Sequence, residues 1–171
     1  CSSDLILLKS GQELAADIII SATGLNMIPF GKIELSVDGH LLHLPDLTVY
    51  KAMMLSGVPN FAFAVGYTNI AWTLKVDLVC EHFCRMLDYM DEHGYAKVVP
   101  ILEDGTMERV PLLDMTSGYV QRAVAKFPRG GTYGPWAFKH AYEMDQERLR
   151  EGPIEDPALV FTPAATPLSV V

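Results

Sequence analysis

The sequence predicts an α/β fold, and three stretches carry the prediction. Phe61-Ala62-Phe63-Ala64-Val65 is a short apolar run of the kind shown by a strand covered on both faces, and Gly66 ends it abruptly. Asp17-Ile18-Ile19-Ile20-Ser21 is a second run, β-branched and closed by the small-residue turn Ala22-Thr23-Gly24. After the first run and a polar turn, Gly66-Tyr67-Thr68-Asn69, a long helix is expected from Trp72. Val76, Val79, Phe83, Met86 and Met90 recur there at steps of three and four and form its apolar face. Lys75, Asp77, Glu81, Arg85 and Asp88 are assigned to the opposite face. A strand that delivers a loop to a helix N-terminus presents free backbone N–H groups, which suits an anionic or electron-rich ligand without naming one.

The chain has 171 residues, 50% of them apolar, which is enough to bury a core. A net charge of −8 excludes the concentrated positive face that a nucleic-acid partner would need. Cys1, Cys80 and Cys84 cannot build a disulfide framework, and no apolar run reaches the length of a membrane span or a secretory core. The cytoplasm is therefore the expected compartment. The opening Cys1-Ser2-Ser3-Asp4-Leu5 resembles the translation of a sequencing adapter, so residues 1–5 are set aside as non-native. With no initiator Met and an early buried strand, the chain reads as a piece of a longer protein.

In order, residues 6–14 read as a strand and a Ser10-Gly11 turn leading into the 17–21 strand. Leu25 to Ile28 follow as an irregular linker. Ile33 to Leu44 alternate around Asp38-Gly39 as a hairpin, with His40 and His43 on opposite faces of its return strand and therefore not sharing a metal. Tyr50 to Leu55 is a short segment before the turn at Ser56 to Asn60. Gly94 is placed to stop the long helix in a left-handed cap. A second hairpin is expected from Lys97–Leu102 and Thr106–Leu112 around Glu103-Asp104-Gly105. A helix follows from Met115 to Phe127, capped by Thr116 or Ser117, then a flexible loop from Arg129 to Pro135 and a last helix from Trp136 to Arg150. The proline-rich tail from Glu151 is expected to be extended or disordered.

Few constellations carry chemistry by themselves. Cys80 and Cys84 share a helix face, yet no second pair stands at zinc-site spacing, so they read as buried free thiols. No nucleophile elbow and no Gly-x-Gly-x-x-Gly fingerprint is present, and no residue qualifies as a general acid or base.

The stretches ADIIISATGLN and FAFAVGYTNIAWTLKVD, with YKAMMLSGVPN before the second, VCEHFCRMLDYM after it and Pro135-Trp136 further on, together resemble the C-terminal third of the class B flavin monooxygenases. The wording is similar to Baeyer–Villiger monooxygenases of the ethionamide monooxygenase type. The resemblance implies the C-terminal part of a flavoprotein with two dinucleotide-binding domains. Residues 6–94 would be the end of its NADPH- and FAD-binding region, with the linker turn at 22–28 and the FAD-domain strand, loop and helix at 61–92. Residues 95–150 would add a C-terminal hairpin and helices, and residues 151–171 a tail.

The activity implied is insertion of one oxygen atom from O2 into a ketone, or its transfer to a thioether or thioamide sulfur, by way of a peroxyflavin. FAD and NADPH are the implied cofactors. By match to the family motif, Gly66, Tyr67, Thr68, Asn69, Trp72 and Thr73 would lie on the FAD side, and Ala22, Thr23 and Gly24 on the NADPH side or in the linker. Plainer roles stand beside these: a tight turn for Gly66, a helix cap for Thr68 or Asn69, a core anchor for Trp72, a linker turn for Thr23 and Gly24. Both phosphate-binding fingerprints and the family's signature segment would lie in a missing N-terminal part, so the piece alone is expected to be inactive and to retain no FAD. The alternatives are a reductase of the same architecture and a stand-alone α+β interaction module.

Overall fold

The computed structural model describes residues 5–103 and 105–164. Its longest element is α1, Trp72–His93, 22 residues. The expected stop is in place: Gly94 adopts φ 67°, and its N–H bonds back to the carbonyls of Met90 and Asp91. The buried stripe is rotated relative to the one read from apolar spacing. It comprises Lys75, Leu78, Val79, His82, Met86 and Met90. Lys75 is therefore not on the solvent face; charge suggested that face, but an ion pair inside the fold offsets the burial.

The sheets are small. Five antiparallel two-stranded pairs are formed among the described residues: β1 (Leu5–Leu7) with β2 (Glu13–Ala15), β3 (Ser36–Val37) with β4 (His40–Leu41), β5 (Val49–Tyr50) with β6 (Met54–Leu55), β7 (Tyr95–Pro100) with β10 (Leu159–Pro163), and β8 (Arg109–Pro111) with β9 (Arg129–Gly131). Mixed helix and strand content of this kind fits the α/β expectation. The hairpin around Asp38-Gly39 forms as expected. The first hairpin also forms, but with Glu13–Ala15 as its return strand in place of 17–21.

The two apolar runs do not share a sheet. Residues 17–21 form no strand, and Ile18, Ile19 and Ile20 are 81%, 57% and 86% exposed. A strand that is apolar on both faces needs a layer on each, and no described element supplies one there. Residues 61–65 are extended with a single bridge, Ala62 to Met54, while Phe61 and Phe63 pack edge-on to Phe30.

The second expected hairpin is likewise replaced. β7 pairs with β10, Leu159 opposite Pro100, and β8 pairs with β9. Proline lacks the N–H a hairpin ladder would use, and Pro100 and Pro111 each close their strand. The tail thus contributes an extended strand through 163, and the expected loop at Arg129 carries β9. Residues 1–4, Asp104 and 165–171 lie outside the described residues. The helix expected over Met115–Phe127 is α2, Gly118–Ala123, with a 3-10 turn at Val124–Lys126; Ser117 sits at its N-cap without a side-chain bond. The last helix is short, because Trp136 sits in a 3-10 turn, packed at 5.5 Å on Tyr50. Helix α3 is Tyr142–Asp145, continuing as a π-helical turn over Gln146–Glu151.

The core is built on the β5–β6 hairpin, whose residues 48–55 are all buried. Tyr50, Met53 and Met54 join Leu78, Met86 and Val98, while Val49, Ala52 and Leu55 join Leu112 and Val120 on the other side. Lys51 and Ala52 turn the hairpin with φ of 45° and 59°, left-handed values that cost a non-glycine residue about 1 kcal/mol each. Lys51 offsets part of this by donating its backbone N–H to the Pro135 carbonyl and pairing its ammonium with Asp156 at 3.5 Å.

One face of α1 is fastened to the C-terminal segment by polar contacts. Arg85 donates to the carbonyls of Leu149, Arg150 and Gly152, Arg150 grips Glu81 at 2.5 and 2.7 Å, and His82 Nδ1–H donates to the Leu149 carbonyl at 2.8 Å. His82 is fully buried, and its Nε2 has no partner among the described residues. Burial first, then the nearby Lys51 charge, pushes its pKa down to about 4. The imidazole is neutral in the fold and accepts a proton once unfolded. Its stabilising contribution is complete above about pH 6.5 and is lost as pH falls from there to about 4. In urea titrations across that window, His82→Gln is expected to lose a component of the pH slope of roughly 1 kcal/mol per pH unit. An unchanged slope would contradict the neutral buried histidine.

Candidate functional site

The loop from Gly66 to Asn69 enters α1 at a place where a side chain has been left out. A Cβ on Gly66 would lie 2.2 Å from the Trp72 ring, so the indole rests on bare backbone. Trp72 is not a core anchor: half of it is exposed. Its ring borders an apolar cleft of about 260 Å³ whose walls include Phe30, Phe63, Val65, Leu113 and Phe127. The N-cap of α1 is Ala71, with no side-chain bond and no acidic residue in the first turn. The Leu74 N–H turns back to the Ala71 carbonyl, while those of Trp72 and Thr73 have no partner among the described residues and stand at the positive end of the helix dipole. Thr73 is exposed in that first turn.

The side chains expected to cap the helix are engaged elsewhere. Thr68 meets His140 twice, its hydroxyl 3.2 Å from Nε2 and its backbone N–H directed at Nδ1 at 3.5 Å, and the Asn69 amide donates to the His140 carbonyl at 3.3 Å. Tyr67 turns inward. Its hydroxyl donates to Asp145 Oδ2 at 2.7 Å, and the Lys75 ammonium lies 2.6 Å from the same oxygen. All three residues are at most 2% exposed. The ammonium also lies 5.4 Å from the centres of the Tyr67 and Phe138 rings. Burial pulls the Lys75 pKa below its ordinary value, with Asp145 opposing, whereas burial and the Asp145 bond raise that of Tyr67. At neutral pH Tyr67 is thus a fixed donor, and the carboxylate answers both a phenol and an ammonium.

Gly66 to Thr73 make one corner by chain continuity, but among the described residues Trp72 alone of the expected set lines the cleft: Gly66 lies under its ring, Tyr67 is buried on Asp145, Thr68 and Asn69 bond to His140, and Thr73 is exposed. Ala22, Thr23 and Gly24 lie in exposed chain, and no hydrogen bond or shared cavity joins them to that corner among the described residues, although Met27 and Ile28 just after them reach the cleft. Cys80 and Cys84 are exposed, which corrects their reading as buried thiols; the stripe they occupy is the one α1 turns away from its core. His140 and Asp145 were missed by sequence reasoning. Asp145 falls on an apolar helix face in the sequence, the one available signal that it needs a buried partner.

Comparison with curated proteins extends this picture. The chain is 44% identical over 165 residues to "FAD-containing monooxygenase EthA" of Mycobacterium tuberculosis (strain ATCC 25618 / H37Rv), a match covering 96% of this chain and 34% of that protein. It is 45% identical over 157 residues to the protein of the same name from Mycolicibacterium smegmatis, covering 92% and 32%. The chain is homologous to part of the FAD-containing monooxygenases. A further relative, "Probable FAD-binding monooxygenase AlmA" of Acinetobacter baylyi, is 40% identical over 157 residues, covering 91% and 32%. The chain spans about a third of the length of the curated relatives it matches. No family model matches it, and no solved structure gives a significant match. No helix among the described residues is long and apolar enough to cross a membrane.

The corner can hold an apolar planar group against Trp72 and Phe63 and place negative charge at the start of α1. Its shape depends on Tyr67 being held down from behind. Tyr67→Phe removes one bond to a carboxylate that keeps its ammonium partner, so a loss of about 1–2 kcal/mol in urea unfolding is expected. A loss below a few tenths would show that the phenol does not anchor the loop.

Proposed function

We propose that this chain supplies one wall of the flavin site in a longer FAD- and NADPH-dependent monooxygenase. Gly66, Tyr67, Thr68, Asn69, Trp72 and Thr73 belong to the FAD side, and Ala22, Thr23 and Gly24 to the NADPH side or the linker. The observation that carries the reading is the apolar cleft at the uncapped N-terminus of α1. The names of the relatives, FAD-containing and FAD-binding monooxygenases, favour oxygen chemistry over a reductase.

The residues present fit the ring end of FAD. Phe63, Trp72 and Phe127 border a slot suited to a flat apolar ring, and the free N–H groups of α1 suit the negative charge that a reduced flavin carries. A diphosphate would require a glycine turn that this sequence lacks, so the chain alone binds no flavin and is inactive. When bound, FAD reduced by NADPH supplies the electrons that activate O2, one atom of which passes to a ketone in a Baeyer–Villiger insertion or to a thioether or thioamide sulfur. The chain's own part is positional. Trp72 shields the cleft from water, Gly66 lets the indole lie flat on the loop, and Tyr67 and Thr68 are tied to the Asp145 and His140 segment so that the loop does not lift.

Removing the indole should open the site more than it loosens the fold. In the full-length enzyme, Trp72→Ala is expected to raise hydrogen peroxide released per NADPH severalfold, with a stability loss under about 2 kcal/mol because half the ring is already exposed. Unchanged coupling of NADPH to product, together with a loss of stability alone, would remove Trp72 from the site.

A further inference from the structure

His140 holds the loop that leads into α1 through both of its ring nitrogens. The Thr68 N–H points at Nδ1, 3.5 Å away, so Nδ1 accepts and carries no hydrogen. The neutral imidazole must then keep its hydrogen on Nε2, which donates it to the Thr68 hydroxyl at 3.2 Å. The Asn69 amide adds a bond to the His140 carbonyl at 3.3 Å. The half-buried ring lies between aromatic neighbours, edge-on to Phe138 at 4.7 Å and tilted on Tyr67 at 6.3 Å. The charged and titratable groups around it are Lys75 on α1, Asp145 on α3, Asp114 after β8 and the Tyr67 phenol. Burial first, then the Lys75 ammonium, oppose a second proton on the ring; Asp145 and Asp114 favour it, burial prevails, and the pKa lies below the ordinary histidine value. That second proton has one place to go, Nδ1, where it would face the Thr68 N–H donor to donor.

We propose that His140 is the positioning residue of this corner and makes its closure depend on a proton: neutral, it holds the loop from Gly66 to Asn69 under Trp72, and protonated at Nδ1 it releases Thr68 and lets the indole lift from Gly66. A ring that is neutral when the loop is closed and takes up one proton on opening ties the ratio of closed to open forms to pH, by at most about tenfold per unit. Closure is complete above about pH 6.5, the value of a free imidazole, and is lost as pH falls from there. The opening is local, because Tyr67 and Lys75 stay tied to Asp145 while Thr68 and Asn69 have only His140 to hold them. The latch stands on the Thr68 contacts, and its consequence, loss of the water shield over the cleft, rests on the reading of this corner as a wall of the flavin site.

The test uses the full-length enzyme, with hydrogen exchange of the loop amides followed at about pH 7.5 and about pH 5.5 and corrected for intrinsic rates. Protection of the Thr68 amide is expected to fall at least ~10-fold in the wild type over that interval. His140→Asn keeps an uncharged acceptor toward the Thr68 N–H and is expected to hold its protection within about twofold. His140→Phe keeps a ring without an acceptor and is expected to show the low protection at both pH values. Equal falls in the wild type and His140→Asn would overturn the proposal by assigning the change to another group, and so would a wild-type loop whose protection does not change. Hydrogen peroxide released per NADPH, measured on the same samples, separates the two readings. Opening that depends on His140 with coupling unchanged keeps the latch and removes the corner from the flavin site. Uncoupling at the lower pH with the loop still protected overturns the latch and leaves the flavin reading standing.

Discussion

A buried carboxylate shared by an ammonium and a phenol holds the two ends of this chain's architecture together. Asp145, from the short α3, accepts from Lys75 one turn into α1 and from Tyr67 in the loop that precedes it. Neither Lys75 nor Asp145 could be buried alone at tolerable cost, since an unpaired charge in the interior is penalised by several kcal/mol. Together they fix where the loop meets the C-terminal segment. The other polar contacts continue the same seam: Arg85 and His82 take carbonyls of the π-helical turn, and Arg150 takes Glu81. A helix that looks amphipathic in the ordinary sense is thus attached along one flank by charge and hydrogen bonding, and along another by Leu78, Met86 and Met90.

That seam explains why the candidate corner keeps its form. Thr68 and Asn69 have hydrogen-bonding groups that could cap α1, but His140 claims them, and the helix start is left uncapped. An uncapped start costs a little stability and leaves donors available for a ligand. Trp72, resting on Gly66, is similarly half-exposed beside an apolar cleft. Both features sacrifice local stability at one place, and the buried Lys75–Asp145–Tyr67 contact offsets that loss from behind.

Much of this was legible from residue pattern, and the failures have physical causes. Helix α1 and its glycine stop, the Asp38-Gly39 hairpin and the loop from Gly66 follow from spacing and turn chemistry, which are local. The strand read at Ile18 to Ile20 does not form, because a doubly buried strand depends on layers that the described residues do not provide. Lys75 was placed on the wrong face because charge is a poor guide once a partner 70 positions away, Asp145, enters the core with it. The pairing of β7 with β10 likewise joins distant segments, and prolines in both strands hid it. Residues 50–55 read from sequence only as a short segment, and nothing local marks them as the centre of the core; Lys51 is buried there beside Asp156, a partner 105 positions away.

The central claim is that Lys75 and Asp145 act as one unit. A double-mutant cycle of Lys75→Met and Asp145→Leu, read by urea unfolding, tests it most directly. Each single substitution strands a buried charge and is expected to cost on the order of 3–5 kcal/mol, while the double variant recovers at least about 2 kcal/mol of the summed loss. Single losses below about 1 kcal/mol that simply add would contradict the account and detach the loop from the C-terminal segment.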